Sequence, residues 1–185
     1  MITLTAIYGN VTSVRGNKAE VVSGEYSFTV SDGGCNRTEG TVTVSGDTVL
    51  SVELPSGNWF GDVKILDSDK QAYDYTQDKE QNTGVYIIED RMSHGDFFLN
   101  AMIGDVPDRD TTRLRTIYVG TNGNDTSETV RSWNSQNTSL AYLLNADMNG
   151  RNFNLEAQYE NSAGHVMIQS YGVTIVRKQI GRAHV

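Results

Sequence analysis

Residues 25–54, EYSFTVSDGGCNRTEGTVTVSGDTVLSVEL, alternate apolar and polar side chains in three runs separated by glycine-rich turns. Tyr26, Phe28 and Val30 alternate in the first run and Val42 and Val44 in the second. In the third, Leu50, Val52 and Leu54 share one parity, with Val49 just ahead of them. A period of two places such residues on one face of a strand. Ser31-Asp32-Gly33-Gly34 and Ser45-Gly46-Asp47 supply residues that tolerate positive φ between the strands. The stretch predicts a β-meander with one buried and one wet face, the start of a sandwich. It constrains the fold and carries no chemistry.

The same alternation recurs along the chain. Short strands are expected at 2–8, 11–15 and 19–22, then at 63–66 after the strong turn signal Pro55-Ser56-Gly57-Asn58. Further strands are expected at 85–88, 96–103, 113–119, 140–145, 152–159 and 166–176. The polar stretch 67–84, DSDKQAYDYTQDKEQNTG, has no clean period and reads mostly as loop. Long structureless loops inside a domain are uncommon, so this one is a natural boundary. The expectation is an all-β protein built as an antiparallel β-sandwich, either two sandwich units in tandem or one enlarged sandwich. The units would be 1–66 and 85–178, joined by a linker at 67–84.

A chain of 185 residues is long enough for one large or two small domains. Its hydrophobic share is 37%, and the 18 glycines bring it within the globular range. The net charge of −8 argues against nucleic acid as a partner, because phosphates demand a basic face. Cys35 is the only cysteine, so no internal disulfide can form. A reactive thiol needs a basic or cationic partner. None stands beside Cys35 in the sequence, which reads as an incidental turn residue. No run approaches the roughly 20 apolar residues of a membrane-spanning helix. Met1 is followed at once by strand-like Ile-Thr-Leu-Thr, so an export signal is expected elsewhere on a longer polypeptide.

The pattern G-x-Y-S-F-T-V, a Gly-rich turn, then G-T-V-x-V and V-x-L-P over 19–66 resembles carboxypeptidase-regulatory-like and PEGA-type β-sandwich repeats of bacterial surface proteins. Such modules usually carry Gly-Tyr where this chain has Gly34-Cys35. The resemblance implies a non-catalytic spacer or presentation module and carries over no functional residues. Over 115–178, Trp133, the Ser-Leu-x-x-Leu run at 139–143, Gln169-x-Tyr171 and the closing V-T-I-V-R-K are similar to segments preceding cadherin-like β-sandwich repeats in large bacterial surface proteins. The last six residues, IGRAHV, resemble a translated short-read sequencing adapter whose preceding bases would complete the codon of Gln179. Residues 179–185 are therefore read as a non-native tail of a metagenomic fragment, and His184 is kept out of every site argument.

Two histidines remain, His94 and His165, and no H-E-x-x-H or paired-cysteine pattern accompanies them. Ser93, His94 and Asp96 sit too close in one turn to converge as nucleophile, base and orienter. Two acidic clusters offer oxygen ligands of the kind calcium takes: Asp67, Asp69, Asp74 and Asp78, and Asp105, Asp108 and Asp110. Of these, Asp67, Asp69, Asp105 and Asp108 are the candidate ligands, although neither cluster matches the D-x-[DN]-x-[DN]-G loop. No other cofactor is implied. Trp59, Tyr73, Tyr75 and Trp133 lie in or near loops and could stack on sugar rings, provided they share an exposed surface. A glycosidase would need two carboxylates flanking a cleft, and no such pair stands out. Four N-x-S/T sequons, at Asn10, Asn36, Asn124 and Asn137, matter only in a eukaryotic secretory setting.

The functional expectation is a non-catalytic module of a larger secreted or cell-surface bacterial protein, acting as spacer or adhesion element. Its partners would be a polysaccharide or a host or cell-surface protein, and its location extracellular. The alternative is a carbohydrate-binding module working through the loop aromatics.

Overall fold

The structure, a computed structural model, describes residues 2–6, 11–14, 18–69, 71, 77–80, 82–90, 97–119, 128–144 and 152–179. Among the described residues there is no helix, and the protein is all-β. In chain order the strands are β1 (Ile2–Ala6), β2 (Val11–Val14), β3 (Gly24–Ser31), β4 (Asn36–Val44), β5 (Phe60–Leu66), β6 (Gln77–Glu80) and β7 (Thr83–Asp90). They continue with β8 (Phe97–Ile103), β9 (Arg113–Val119), β10 (Glu128–Ser132), β11 (Ser139–Leu144), β12 (Asn152–Glu160) and β13 (Val166–Gln179). The described strands form two sheets, a large one and a three-stranded one.

The chain divides into two compact units, Met1–Gly57 with Gln158–Gln169, and Asn58–Ala157 with Ser170–Val185. The boundary expected at 67–84 falls inside the second unit, and residues 158–169 join the first.

In the first unit, β3 and β4 pair antiparallel, β1 adds to β3, and β4 pairs with residues 166–169 of β13. The register sets Tyr26 opposite Val42, Phe28 opposite Gly40, Val30 and Met167 opposite Thr38, and Gln169 opposite Asn36. Directly opposed residues share a face, and this face buries Tyr26, Phe28, Thr38, Met167 and Gln169. Full burial of side chains such as Phe28 and Met167 is worth about 1.5–3 kcal/mol each. The β3–β4 part of the meander forms as the alternation predicts. The third run does not, for residues 48–58 form no strand and Val49 is 93% exposed. Side chains hold this segment instead: Thr38 Oγ1 donates to the Glu53 carbonyl at 2.6 Å. Nor do residues 19–22 form a strand; the Val22 carbonyl accepts from the Tyr26 hydroxyl at 2.6 Å.

The second unit contains both kinds of sheet. Strand β8 lies between β5 and β11, with Leu99 opposite Ile65 and Ala101 opposite Val63 and Leu140. Against it stand strands of the large sheet, including β7 and β13, which pair in parallel from Gly172↔Thr83 to Gln179↔Asp90. This pair departs from the purely antiparallel expectation. The core between the sheets holds Trp59, Val63, Ile65, Tyr86, Leu99, Leu114, Trp133, Leu155, Val173 and Ile175, each at most 1% exposed. The rings of Phe60 and Tyr171 meet across it with centroids 5.5 Å apart.

A buried polar link crosses this apolar layer. The Tyr86 hydroxyl on β7 donates to the Val63 carbonyl on β5 at 2.8 Å. A phenol has one proton, so the Tyr171 hydroxyl, 2.9 Å from that of Tyr86, is the donor between the two. Gly84 leaves the room this needs, because a Cβ there would lie 2.7 Å from Tyr86 Cε2 and 2.9 Å from Tyr171 Oη. Gly84→Ala is expected to cost about 1–3 kcal/mol by overpacking. Tyr86→Phe, which strands the Val63 carbonyl, is expected to cost about 1–3 kcal/mol. Urea unfolding followed by tryptophan fluorescence checks both, and midpoints equal to wild type would contradict this reading of the tyrosine pair.

Candidate functional site

The aromatic candidates separate sharply. Trp59 follows the Pro55–Asn58 turn, where its carbonyl accepts from Gly104 N at 2.7 Å and its indole is 1% exposed. Trp133 follows β10 and is fully buried, edge-on to Phe60 with centroids 5.5 Å apart at 75°. Its Nε1 has no hydrogen-bond partner among the described residues. Neither indole offers a face to a sugar ring, so the stacking role expected for these two is corrected to a core role. An indole next to a turn becomes core when the turn folds back over it. Here Gly104 N and Asp105 N bond to the carbonyls of Trp59 and Asn58. A Cβ on Gly104 would sit 2.4 Å from the Asn58 carbonyl oxygen, so only glycine permits this approach. Tyr73 and Tyr75 lie outside the described residues.

The aspartates brace turns. Asp67 Oδ1 accepts from the backbone N–H groups of Asp69 and Gln71, both at 2.9 Å, where the chain leaves β5. Asp108 Oδ1 accepts from Asp110 N at 3.0 Å, and Asp110 Oδ1 from Ser135 N at 3.2 Å. Asp105 is exposed, with its own N–H on the Asn58 carbonyl. The local bonds of Asp67 and Asp108 are Asx turns, which short acidic side chains form in loops, whereas Asp110 tethers a second loop. Among the described residues no group of three or more His, Cys, Asp or Glu side chains is arranged to hold a metal ion. Asp74 and the side chain of Asp78 lie outside them.

Asp32 is a heavily used carboxylate in the first unit. Its Oδ1 accepts from Gly34 N at 2.7 Å and Asn36 N at 3.2 Å, and its Oδ2 from Asn36 Nδ2 at 2.8 Å. The Gly34 N–H first, and then the Asn36 carboxamide, hold its carboxyl below the ordinary value. The stabilisation from this turn is present above the unfolded-state pKa of about 3.9 and is lost as pH falls through the lower folded value. The group is exposed, so the effect is small.

The structure places His165 at 8% exposure, edge-on to Phe28 with centroids 4.9 Å apart. Its Nδ1 has no hydrogen-bond partner among the described residues. His94 lies outside them. The sequence reading gave no role to Gln169, which is 1% exposed. Its Nε2 donates to Asn36 Oδ1 at 3.0 Å and to the Gly57 carbonyl at 2.9 Å. A signal for it existed. Gln169 falls on the same parity as Met167, Tyr171, Val173 and Ile175, and a polar residue in such a row must find buried partners. The Asn36 sequon is thereby committed on both its Oδ1 and Nδ2, Asn137 is exposed, and Asn10 and Asn124 lie outside the described residues.

No family model, curated protein or solved structure matches this chain. Among the described residues no helix is long and apolar enough to cross a membrane.

Two outcomes are expected. Gln169→Leu should destabilise the protein by about 1 kcal/mol, since it removes the two part-buried bonds from Nε2 to the Gly57 carbonyl and Asn36 Oδ1. Asp32→Asn should flatten the acid limb of stability against pH by a small amount and leave the neutral limb with the same slope. Chemical denaturation across a pH series reads both, and a Gln169→Leu protein as stable as wild type would refute the bonding role of that side chain.

Proposed function

We propose that the chain is a non-catalytic β-sandwich module of a larger secreted or cell-surface bacterial protein, serving as a spacer or adhesion element. The observation that carries this reading is where the chemically capable side chains spend their bonds. Asp32, Asp67, Asp108 and Asp110 hold turns, Gln169 and Thr38 hold backbone carbonyls, and Trp59 and Trp133 fill the core. Residues used this way supply rigidity, which is what a spacer or presenting module needs. The resemblance to carboxypeptidase-regulatory-like, PEGA-type and cadherin-associated modules belongs to the same proposal, as do the extracellular location and a polysaccharide or cell-surface protein as partner. The carbohydrate-binding alternative keeps only Tyr73 and Tyr75 of its four rings, and no observation favours it.

The test is a panel of ester, peptide, phosphoester and glycoside substrates alongside a glycan and matrix-protein binding array. The proposal expects no turnover on any substrate and either a flat array or binding that survives Trp59→Phe and Trp133→Phe. Turnover abolished by replacing a single carboxylate or histidine would overturn it. Sugar binding lost on Tyr73→Ala or Tyr75→Ala would promote the alternative.

A further inference from the structure

Among the described residues, the three-stranded sheet of the second unit has two edges, β5 and β11, and the chain treats them differently. An edge strand presents unpaired N–H and C=O groups and is a template for another chain. Strand β5 has the usual protections, with a register shift between Phe60 and Val63 and the charged residues Asp62 and Lys64. Strand β11, SLAYLL, has neither a charge nor a proline. Its pairing with β8 runs without a shift from Ser139↔Met102 to Leu144↔Phe97. Such a strand has no bulge, charge or proline of its own to oppose pairing.

Among the described residues, an arginine side chain stands on that edge. Arg131, exposed on β10, donates from Nη1 to the Ala141 carbonyl at 3.1 Å. Ala141 lies in the middle of β11, and alternate residues of an antiparallel edge turn their backbone groups the same way. Ser139, Ala141 and Leu143 therefore present the outward N–H and C=O groups, and Arg131 holds the central carbonyl of that row.

We propose that Arg131 guards this edge, and that the partner it keeps away is a second copy of the chain. Two β11 strands related by a two-fold axis would pair antiparallel about Ala141. Each would satisfy the other's outward groups, and no charge on either strand opposes the approach. A guanidinium seated on the Ala141 carbonyl occupies the acceptor at the centre of that pairing and sets two cations face to face across it. The guard needs no feature of the proposed function and holds whatever the module binds.

Sedimentation velocity on wild type, Arg131→Ala and the double variant Arg131→Ala with Ala141→Pro tests this, with far-UV circular dichroism confirming the fold. Proline at 141 removes an outward N–H and obstructs edge pairing without taking a bond from β8. The expected result is a monomeric wild type, self-association at least about tenfold stronger in Arg131→Ala, and a monomeric double variant. A folded Arg131→Ala protein that stays monomeric overturns the proposal. So does association that persists in the double variant, since it would not run through β11, or a wild type that associates as strongly as Arg131→Ala.

Discussion

Strand β13 is the constraint on which the remaining architecture depends. It runs for 14 residues, pairing with β4 over Val166–Gln169 and with β7 over Gly172–Gln179. Every second side chain from His165 to Ile175 is buried: His165, Met167, Gln169, Tyr171, Val173 and Ile175. A one-residue slip of this strand would turn that whole row to the opposite face. Its polar members fix the register. Gln169 bonds to Asn36 and to Gly57 within the first unit, and Tyr171 bonds to Tyr86 within the second. Apolar burial drives the strand into place, whereas these directional bonds permit only one alignment.

The all-β class and most strands were legible because half-buried strands alternate. Strands β3, β4, β8, β9, β11, β12 and β13 fall where the period of two predicts them. The failures have physical causes. Among the described strands, β6 and β10 each pair with one neighbour, at the edge of the large sheet. Their sequences, QDKE and ETVRS, hold too few apolar residues to show a period. The opposite error occurred at 49–54, where alternating valine and leucine suggested a strand that tethering side chains replace. Alternation reports the chance of a pleat, and hydrogen-bond partners decide it. The parallel β7–β13 pair and the return of residues 158–169 to the first unit rest on long-range topology, which local periodicity does not encode.

The candidate site was legible only as a set of residue types. Acidic residues in turns suggest ligands and braces equally, and only the bonds of Asp67, Asp108 and Asp110 to backbone N–H groups separate the two. Tryptophans beside turns suggest sugar platforms or core plugs, and burial of Trp59 and Trp133 decides for the core. Gln169 was overlooked for the opposite reason, since a single amide in an apolar row looks like noise until its partners are visible. In each of these cases the chemistry of the side chain is used internally, and that use underlies the functional proposal.

Native-state amide hydrogen exchange along β13 is the most direct test of its organising role. The account predicts that amides of Met167–Ile175 exchange last and only through global unfolding, with the same free energy as chemical denaturation. Exchange of these amides through a low-energy local opening, while β3 or β8 stays protected, would contradict it.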